Sequence, residues 1–488
     1  MDLPREGHPS EQLLSELEAL RAHDADWRGG RCFALVYSAG DNHERLLKEA
    51  HQLFFSENAL NPMAFKSLHK METEVVSMLA GLLHGGATAV GTMSSGGTES
   101  LLLAVKTYRD LAKAKRPRMG RPEMILPRSA HVAFEKAAHL FGVKVRHADL
   151  DDRFRVRVDH VKRLINSNTI MIVGSAPQYP QGVIDPIEEL ATLARKKDIP
   201  MHVDACVGGL ILPFLEKLGC PIPRWDFRVP GVTSISADLH KYGYTAKGAS
   251  VILYRDMEFL KHQFFVSTDW SGGVYASPSL PGTRPGGPIA AAWAGLRALG
   301  ESGYLALSQQ ALEAKKAIAA GVGDIPGLRI LGDPEATLLA IGSSDPEIDM
   351  FALADQLHER GWHFDRNQKP PSIHLTVMAG HQQIVPQLLS DLRAAAQYLR
   401  AHPEARKSGS APMYGMMAKL PFRSLVKSGV VDMMAKMYGR DAKLPELSDP
   451  NAGNDGLVAR TMDKFGEPIL ATLEKIEAIK ERLPRAFR

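Results

Sequence analysis

Two hydrophobic rhythms alternate along the middle of the chain. Stretches with apolar residues three and four apart predict amphipathic helices at "SLHKMETEVVSMLAGLLHG" (67–85), "TESLLLAVKTYRDLAKA" (98–114), "AFEKAAHLFG" (133–142), "HVKRLIN" (160–166) and "IEELATLARKK" (187–197). Between and after them lie short apolar runs that predict strands: "EMILP", "VKVRHA", "TIMIVGSA", "IPMHVDA", "VTSISAD" and "ASVILYR". Most of these runs are continuous, which is the pattern of strands covered on both faces. Strand–helix alternation of this kind predicts a mostly parallel sheet with helices on each side.

Beyond residue 300 the texture changes. Longer helical segments (304–321, 349–359, 380–400) alternate with "LRILG", "TLLAIGS" and "SIHLTVM", which predicts a smaller α+β unit. At the other end, "SEQLLSELEALRA" opens on a serine and carries helical spacing. The division expected is an N-terminal helical arm (1–60), a large α/β domain (61–300) and a small C-terminal domain with a helical tail (301–488). The stretch "LPELSDPNAGNDGLVART" (444–461) reads as a loop before a final helix.

Composition narrows the functional classes. With 488 residues, the chain is long enough for a large core. A net charge of +4, with the basic residues scattered, gives no nucleic-acid stripe, and "KAKRPRMGR" reads as a solvated loop. Three cysteines in so long a chain fit a reducing compartment rather than a disulfide framework. The charged N-terminus lacks the apolar core of a secretory signal, and no run reaches the roughly 18 residues that span a bilayer. The expectation is a soluble, cytoplasmic protein without stable membrane insertion.

Candidate chemistry centres on "SADLHKYGY". Lys241 falls in the turn between two predicted strands, where ligands of open α/β sheets bind. A surface lysine is one reading. The other is a nucleophilic amine whose charge is disfavoured by burial. Asp204 ends the preceding strand, either as a turn former or as the carboxylate partner of a protonated pyridine nitrogen. Ser95, Gly96, Gly97 and Thr98 stand before an apolar helix, whose N-terminus suits a phosphate as well as an ordinary cap. His131 follows a strand and opens a helix, as a cap or as a ring that stacks on a planar ligand. Each signal is weak alone. Their order along the chain is that of fold-type I (aspartate aminotransferase-like) enzymes dependent on pyridoxal 5'-phosphate (PLP).

From about residue 30 to 420 the sequence resembles the sphingosine-1-phosphate lyases, within the group that includes glutamate and aromatic amino-acid decarboxylases. "DLHKYGYTAKG" and "SGGVYASP" carry the lyase-like character, and "HVDACVGGL", "APQYPQGVIDPIEELA" and "PPSIHLTV" extend it. The resemblance implies a seven-stranded-type large sheet, covalent attachment of PLP to Lys241, and Asp204 on the ring nitrogen. It implies ring stacking by His131, and phosphate contacts from Gly97, Thr98 and His240. Gly282 and Thr283 in "PGTRPGG" match a segment that reaches the neighbouring subunit's cofactor phosphate, so a homodimer with shared active sites is expected. Lys247 and Tyr37 match residues that grip the substrate phosphate, and Tyr179 and Tyr414 match tyrosines near the reacting carbons.

The activity implied is cleavage of the C2–C3 bond of a phosphorylated sphingoid base to phosphoethanolamine and a long-chain aldehyde. Tyr179, Tyr414 and Lys247 stand as alternative proton carriers. Three further readings remain open: an amino-acid decarboxylase, a lyase for another phosphorylated amino alcohol, and a protein of this fold that serves as a binding module without turnover. One departure bears on the choice. Where these lyases carry a histidine in "NPLHP", this chain reads "NALNP", and Asn61 can donate a hydrogen bond to phosphate but cannot carry charge.

Overall fold

The predicted strands with unbroken apolar character are buried on both faces. The structure is a computed structural model and describes residues 3–407 and 423–440. The predicted loop at 444–461 and the final helix after it lie outside the described residues. Helices α1 (Ser10–Leu20), α2 (Asp41–Leu53) and α3 (Lys66–Leu82) lead into strand β1 (Val90–Ser94). Then follow α4 (Gly97–Lys115), β2 (Glu123–Pro127), α5 (Ala133–Phe141), β3 (Lys144–Ala148), α6 (Val158–Leu164) and β4 (Thr169–Ser175). After these come α7 (Ile187–Lys196), β5 (Met201–Asp204), α8 (Leu212–Lys217), β6 (Val232–Ala237), β7 (Ser250–Tyr254) and α9 (Met257–Leu260).

These strands form a seven-stranded sheet in the order β1-β7-β6-β5-β4-β2-β3. Only β7 runs against its neighbours, pairing antiparallel with both β1 and β6. Side-chain alternation splits each strand between two layers. Along β2, Met124 and Leu126 join Leu103 and Phe134 on the side of α4 and α5, while Ile125 joins Leu79 and Leu190 on the opposite side. β1 was not among the predicted strands. It is an edge strand whose "VGTMS" lacks a strong apolar run, and its place is set by pairing with β7.

A short hairpin, β8 (Phe265–Ser267) and β9 (Tyr275–Ser277), precedes the long helix α10 (Gly286–Gly323). α10 bends at Gly300, whose φ of +54° and ψ of −174° are non-helical. Beyond it lie β10 (Leu328–Ile330), β11 (Leu338–Ser343), α11 (Met350–His358), β12 (Asp365–Gln368), β13 (Pro371–Thr376) and α12 (Val385–Ala401). A last described helix covers Arg423–Met437. The four strands form an antiparallel sheet, β10-β11-β13-β12, with a core of its own around Phe351, Ile373 and Leu392. Phe33 enters that core, because residues 31–33 hydrogen-bond to His363 and Thr376 at the small sheet.

Candidate active site

The connection from β6 to β7 explains the residue types around Lys241. His240 donates its N–H to the Ala249 carbonyl at 3.1 Å and its ring Nδ1–H to the same oxygen at 2.8 Å. Tyr244 N–H closes a turn onto the Lys241 carbonyl at 2.8 Å, with Tyr244 at φ +52°. Position 243 tolerates only glycine, since a Cβ there would stand 2.3 Å from the Leu239 carbonyl oxygen. Tyr242 is buried. Its hydroxyl donates to the Val377 carbonyl at 2.7 Å and accepts from Thr337 Oγ1 at 2.6 Å, which fastens the turn to the small domain. The lysine is thus carried on a braced turn at the carboxyl end of β6, the third strand from the β1 edge.

That turn opens on a cavity of about 640 Å³, which also receives Asp204, His131, Gly97, Thr98, His240 and Lys247. Tyr37 and Tyr179 complete the predicted residues within it. Asp204 ends β5, and its Oδ1 accepts from Cys206 N–H at 3.1 Å and more distantly from Ser236 Oγ at 3.5 Å. His131 precedes α5 and lines the cavity, and its Nδ1 accepts from Ala133 N–H at 3.2 Å. Glu99 caps the 95–98 loop. Its Oε2 accepts from Ser95 N–H and Ser95 Oγ, each at 2.7 Å, and its Oε1 accepts from Leu280 N–H at 3.0 Å. A Cβ on Gly97 would lie 2.6 Å from Asp238 Oδ2 and 3.0 Å from Cys206 Sγ, so the first turn of α4 meets the cavity wall without a side chain.

Asp238 was not anticipated. It follows β6, is buried, and its Oδ2 lies 3.0 Å from Lys241 Nζ. The expectation of a lysine neutralised by burial is therefore corrected. Burial acts to lower the Lys241 pKa, but the Asp238 carboxylate more than offsets it and holds the amine well above the ordinary lysine range. Burial likewise pushes Asp238 up, while Lys241 and then His240 draw it below the usual carboxylate value. In this cavity the lysine with a depressed pKa is Lys247, brought to about 8 by burial and by the charge of Lys241. Its Nζ donates to the His240 carbonyl at 3.3 Å and stands 5.4 Å from the centre of the Tyr37 ring. Tyr37, bonded to Thr376, is pushed up to about 12 by burial.

The four-stranded sheet closes the far wall. Tyr179 donates its hydroxyl proton to Asp365 Oδ2, and Asp365 and Thr376 both line the cavity. His374 stacks behind Tyr179 with ring centres 3.9 Å apart, and burial brings its pKa down to about 4. Neither Asp365 nor His374 was a predicted site residue. Only the apolar–polar alternation of "SIHLTV" hinted at a strand there. β12, with the sequence "DRNQ", carries no apolar pattern at all.

Three predicted residues are not brought into this cavity. Asn61 is exposed, and its Oδ1 is occupied by the N–H groups of Met63 at 3.0 Å and Ala64 at 3.3 Å. Gly282 and Thr283 lie on the connection from β9 to α10. Thr283 Oγ1 accepts from Asn58 Nδ2 at 3.3 Å, and Ala59 N–H donates to the Arg284 carbonyl at 2.8 Å. The loop preceding α3 and the 282–284 segment therefore form one joined surface. Tyr414 lies outside the described residues.

The cavity fits PLP by its own chemistry. A helix start bare of side chains suits a phosphate. The carboxylate of Asp204 suits a protonated ring nitrogen, and an amine stands on the braced turn between them. Ser175 Oγ, buried and without a partner among the described residues, belongs to a residue of the same lining.

Comparison with known proteins agrees with this chemistry. Residues 2–341 match the pyridoxal-dependent decarboxylase conserved domain. The chain is 45% identical to a sphingosine-1-phosphate lyase of Oryza sativa over 87% of its own length and 80% of that protein. It is 42% identical to sphingosine-1-phosphate lyase 1 of Rattus norvegicus, over 90% and 77% of the two chains. The structure of a Burkholderia pseudomallei sphingosine-1-phosphate lyase superposes with a TM-score of 0.79 at 44% identity, covering 83% of this chain and 94% of that one. Glutamate decarboxylase of Lactobacillus brevis shares the fold at 21% identity, with a TM-score of 0.72 over 82% and 95% of the chains.

Proposed function

Because the chain belongs to the pyridoxal-dependent decarboxylase family, and within it to the sphingosine-1-phosphate lyases, we propose that its cavity cleaves the C2–C3 bond of phosphorylated sphingoid bases. The products are phosphoethanolamine and a long-chain aldehyde. The observation that carries this reading is the meeting of Lys241, Asp204 and the bare start of α4 around one cavity, with Lys247 and Tyr37 in the same lining. Bound PLP, covalently joined through Lys241, supplies an electron sink for the carbon whose bond is cut.

The chain's own residues divide the remaining work. Asp204 would hold a proton on the ring nitrogen of bound PLP, and His131 would pack against the ring face. Gly97, Thr98 and His240 form the phosphate end of the pocket. Lys247 and Tyr37 grip the substrate phosphate, the lysine as a cation below pH about 8. A substrate without a carboxylate is oriented by this grip, where a decarboxylase must orient an α-carboxylate. Tyr179, which lines the same cavity, is assigned to the hydroxyl on C3.

Asn61, Gly282 and Thr283 act in the other subunit's site. Support for this assignment is the bonding of Asn58 to Thr283 and of Ala59 to Arg284, which joins the 282–284 segment to the loop that carries Asn61, outside the chain's own cavity. The functional unit is accordingly a homodimer with shared sites. No described helix is long and apolar enough to cross a membrane. The three cysteines are free, which supports a cytoplasmic setting.

The test is incubation of the PLP-loaded protein with a phosphorylated sphingoid base, with chromatographic detection of long-chain aldehyde. Aldehyde is the expected result. Release of CO2 from an amino acid with no aldehyde would replace this reading with the decarboxylase one.

A further inference from the structure

We infer that Asp365 is the proton-accepting partner of Tyr179, and that the pair removes the proton of the substrate's C3 hydroxyl as the C2–C3 bond breaks. This rests on the lyase reading above. Tyr179 belongs to the large domain, in the segment after β4, and Asp365 opens β12 of the small domain. Between them they span the cavity wall, joined by the hydrogen bond from the phenol to Asp365 Oδ2.

A phenol has one proton. Tyr179 gives it to Asp365, so toward the cavity its oxygen can only accept. A hydroxyl on the substrate is the donor it can take. The ring cannot swing away freely, because His374 stacks on it at 3.9 Å. His374 is itself held, with Nε2 3.1 Å from Thr376 Oγ1 and Nδ1 3.5 Å from the Pro180 carbonyl.

The other titratable groups facing the pair do not compete. His374, at about 4, is neutral and has both ring nitrogens engaged. Tyr37, at about 12, stays protonated. Lys241 is paired with Asp238. Burial, and then the charge of Asp365, hold Tyr179 far above the ordinary tyrosine range. A free tyrosinate is therefore not the base. The phenol passes one proton on as it receives another.

The step balances. The O3–H proton goes to the Tyr179 oxygen while Tyr179's own proton goes to Asp365. The O3–H electron pair becomes the second bond of the aldehyde C=O. The C2–C3 pair stays on C2, the carbon for which bound PLP would supply an electron sink. C2 later takes up one proton, matching the one that Asp365 received.

Asp365 acts through Tyr179 and is a positioning residue in that sense, so its test needs more than a rate. The variants are Asp365→Asn, Asp365→Glu, Tyr179→Phe and Asp365→Asn combined with Tyr179→Phe. Asp365→Asn should lower kcat for aldehyde release by about 10²-fold, the usual worth of one positioned proton acceptor, with KM changed less than about threefold. The acid limb of its kcat profile should be lost, and Asp365→Glu should recover part of both. The double variant should be no slower than Tyr179→Phe alone. PLP affinity should be unchanged. In the PLP-free protein, carbon-13 NMR of labelled tyrosine, assigned with Tyr179→Phe, should show Tyr179 titrating at lower pH once Asp365 is Asn.

A kcat within threefold of the parent, or losses that multiply in the double variant, would overturn the inference. So would loss of PLP binding in Asp365→Asn, which would make the residue structural. Absence of aldehyde from the parent protein would instead overturn the lyase reading on which the inference stands.

Discussion

Asp238 and Lys241 show how one side chain resets another. The sequence offers a lysine beside a histidine, and desolvation alone would discharge it. A carboxylate three residues earlier, buried beside it, keeps the charge instead. Removing that carboxylate leaves a largely buried ammonium without its counter-charge. Asp238→Asn should therefore destabilise the PLP-free protein by about 3 kcal/mol near neutral pH, measured by urea unfolding. The sign with pH follows from the directions of the two shifts. The Asp238 share of stability is present above the ordinary carboxylate range and is lost as acid protonates it below that range. The Lys241 share persists through neutral pH and is lost only above the ordinary lysine range. Lys247 behaves in the opposite sense. Its ammonium loses its proton as pH rises through about 8. KM for a phosphorylated substrate should then climb by up to roughly tenfold per pH unit above that value. Lys247→Arg should flatten the climb, and Lys247→Met should leave KM high throughout. A KM independent of pH in the parent would remove Lys247 from the phosphate grip.

At the scale of elements, the site depends on where helices begin and bend. The start of α4 faces the cavity without a Cβ, and Gly97→Ala would press a methyl group against Asp238 and Cys206. The expected result is a loss of about 1–3 kcal/mol in thermal unfolding. PLP affinity should also fall by at least about tenfold, the factor that 1.4 kcal/mol corresponds to. A variant that retains parental PLP affinity would show that the helix start does not hold the phosphate. In α10 the bend at Gly300 is a backbone matter, because a Cβ there would meet nothing within 4 Å. Gly300→Ala should cost about 1–2 kcal/mol from its left-handed φ alone. We propose that this bend marks the joint between large and small domains, which is also where the hydrophobic rhythm changes along the chain.

For the whole molecule, we propose a site that one chain leaves incomplete. If Gly282 and Thr283 serve the neighbouring subunit, damage to them and damage to Lys241 should complement each other. Lys241→Ala and Thr283→Asp proteins, each inactive alone, are to be unfolded together and refolded as a mixture. Half of the dimers would be mixed, and half of their sites intact, so about a quarter of the parental aldehyde release should return. No recovery, with mixed dimers verified by mass, would place Thr283 in its own chain's site or in none.

The sequence by itself determined the layers. Continuous apolar runs between amphipathic helices forced a sheet covered on both sides, and strand ends placed Asp204 and Lys241 on the ligand-binding edge. The motif order disclosed the cofactor, because each residue type answers a chemical need of that ring. Tertiary structure alone decided the charges and the far wall. The pairing of Asp238 with Lys241 needs the folded turn, and Asp365 meets Tyr179 only once the four-stranded sheet packs beside the seven-stranded one. Asn61 likewise reads as a phosphate ligand along the chain, and only the fold shows that it lies outside its own chain's cavity with its oxygen bonded to its own loop. Hydrophobic periodicity reports which face of a segment is buried. It carries no information about which polar groups from distant segments then share a cavity, and their mutual electrostatics exist only after that cavity closes.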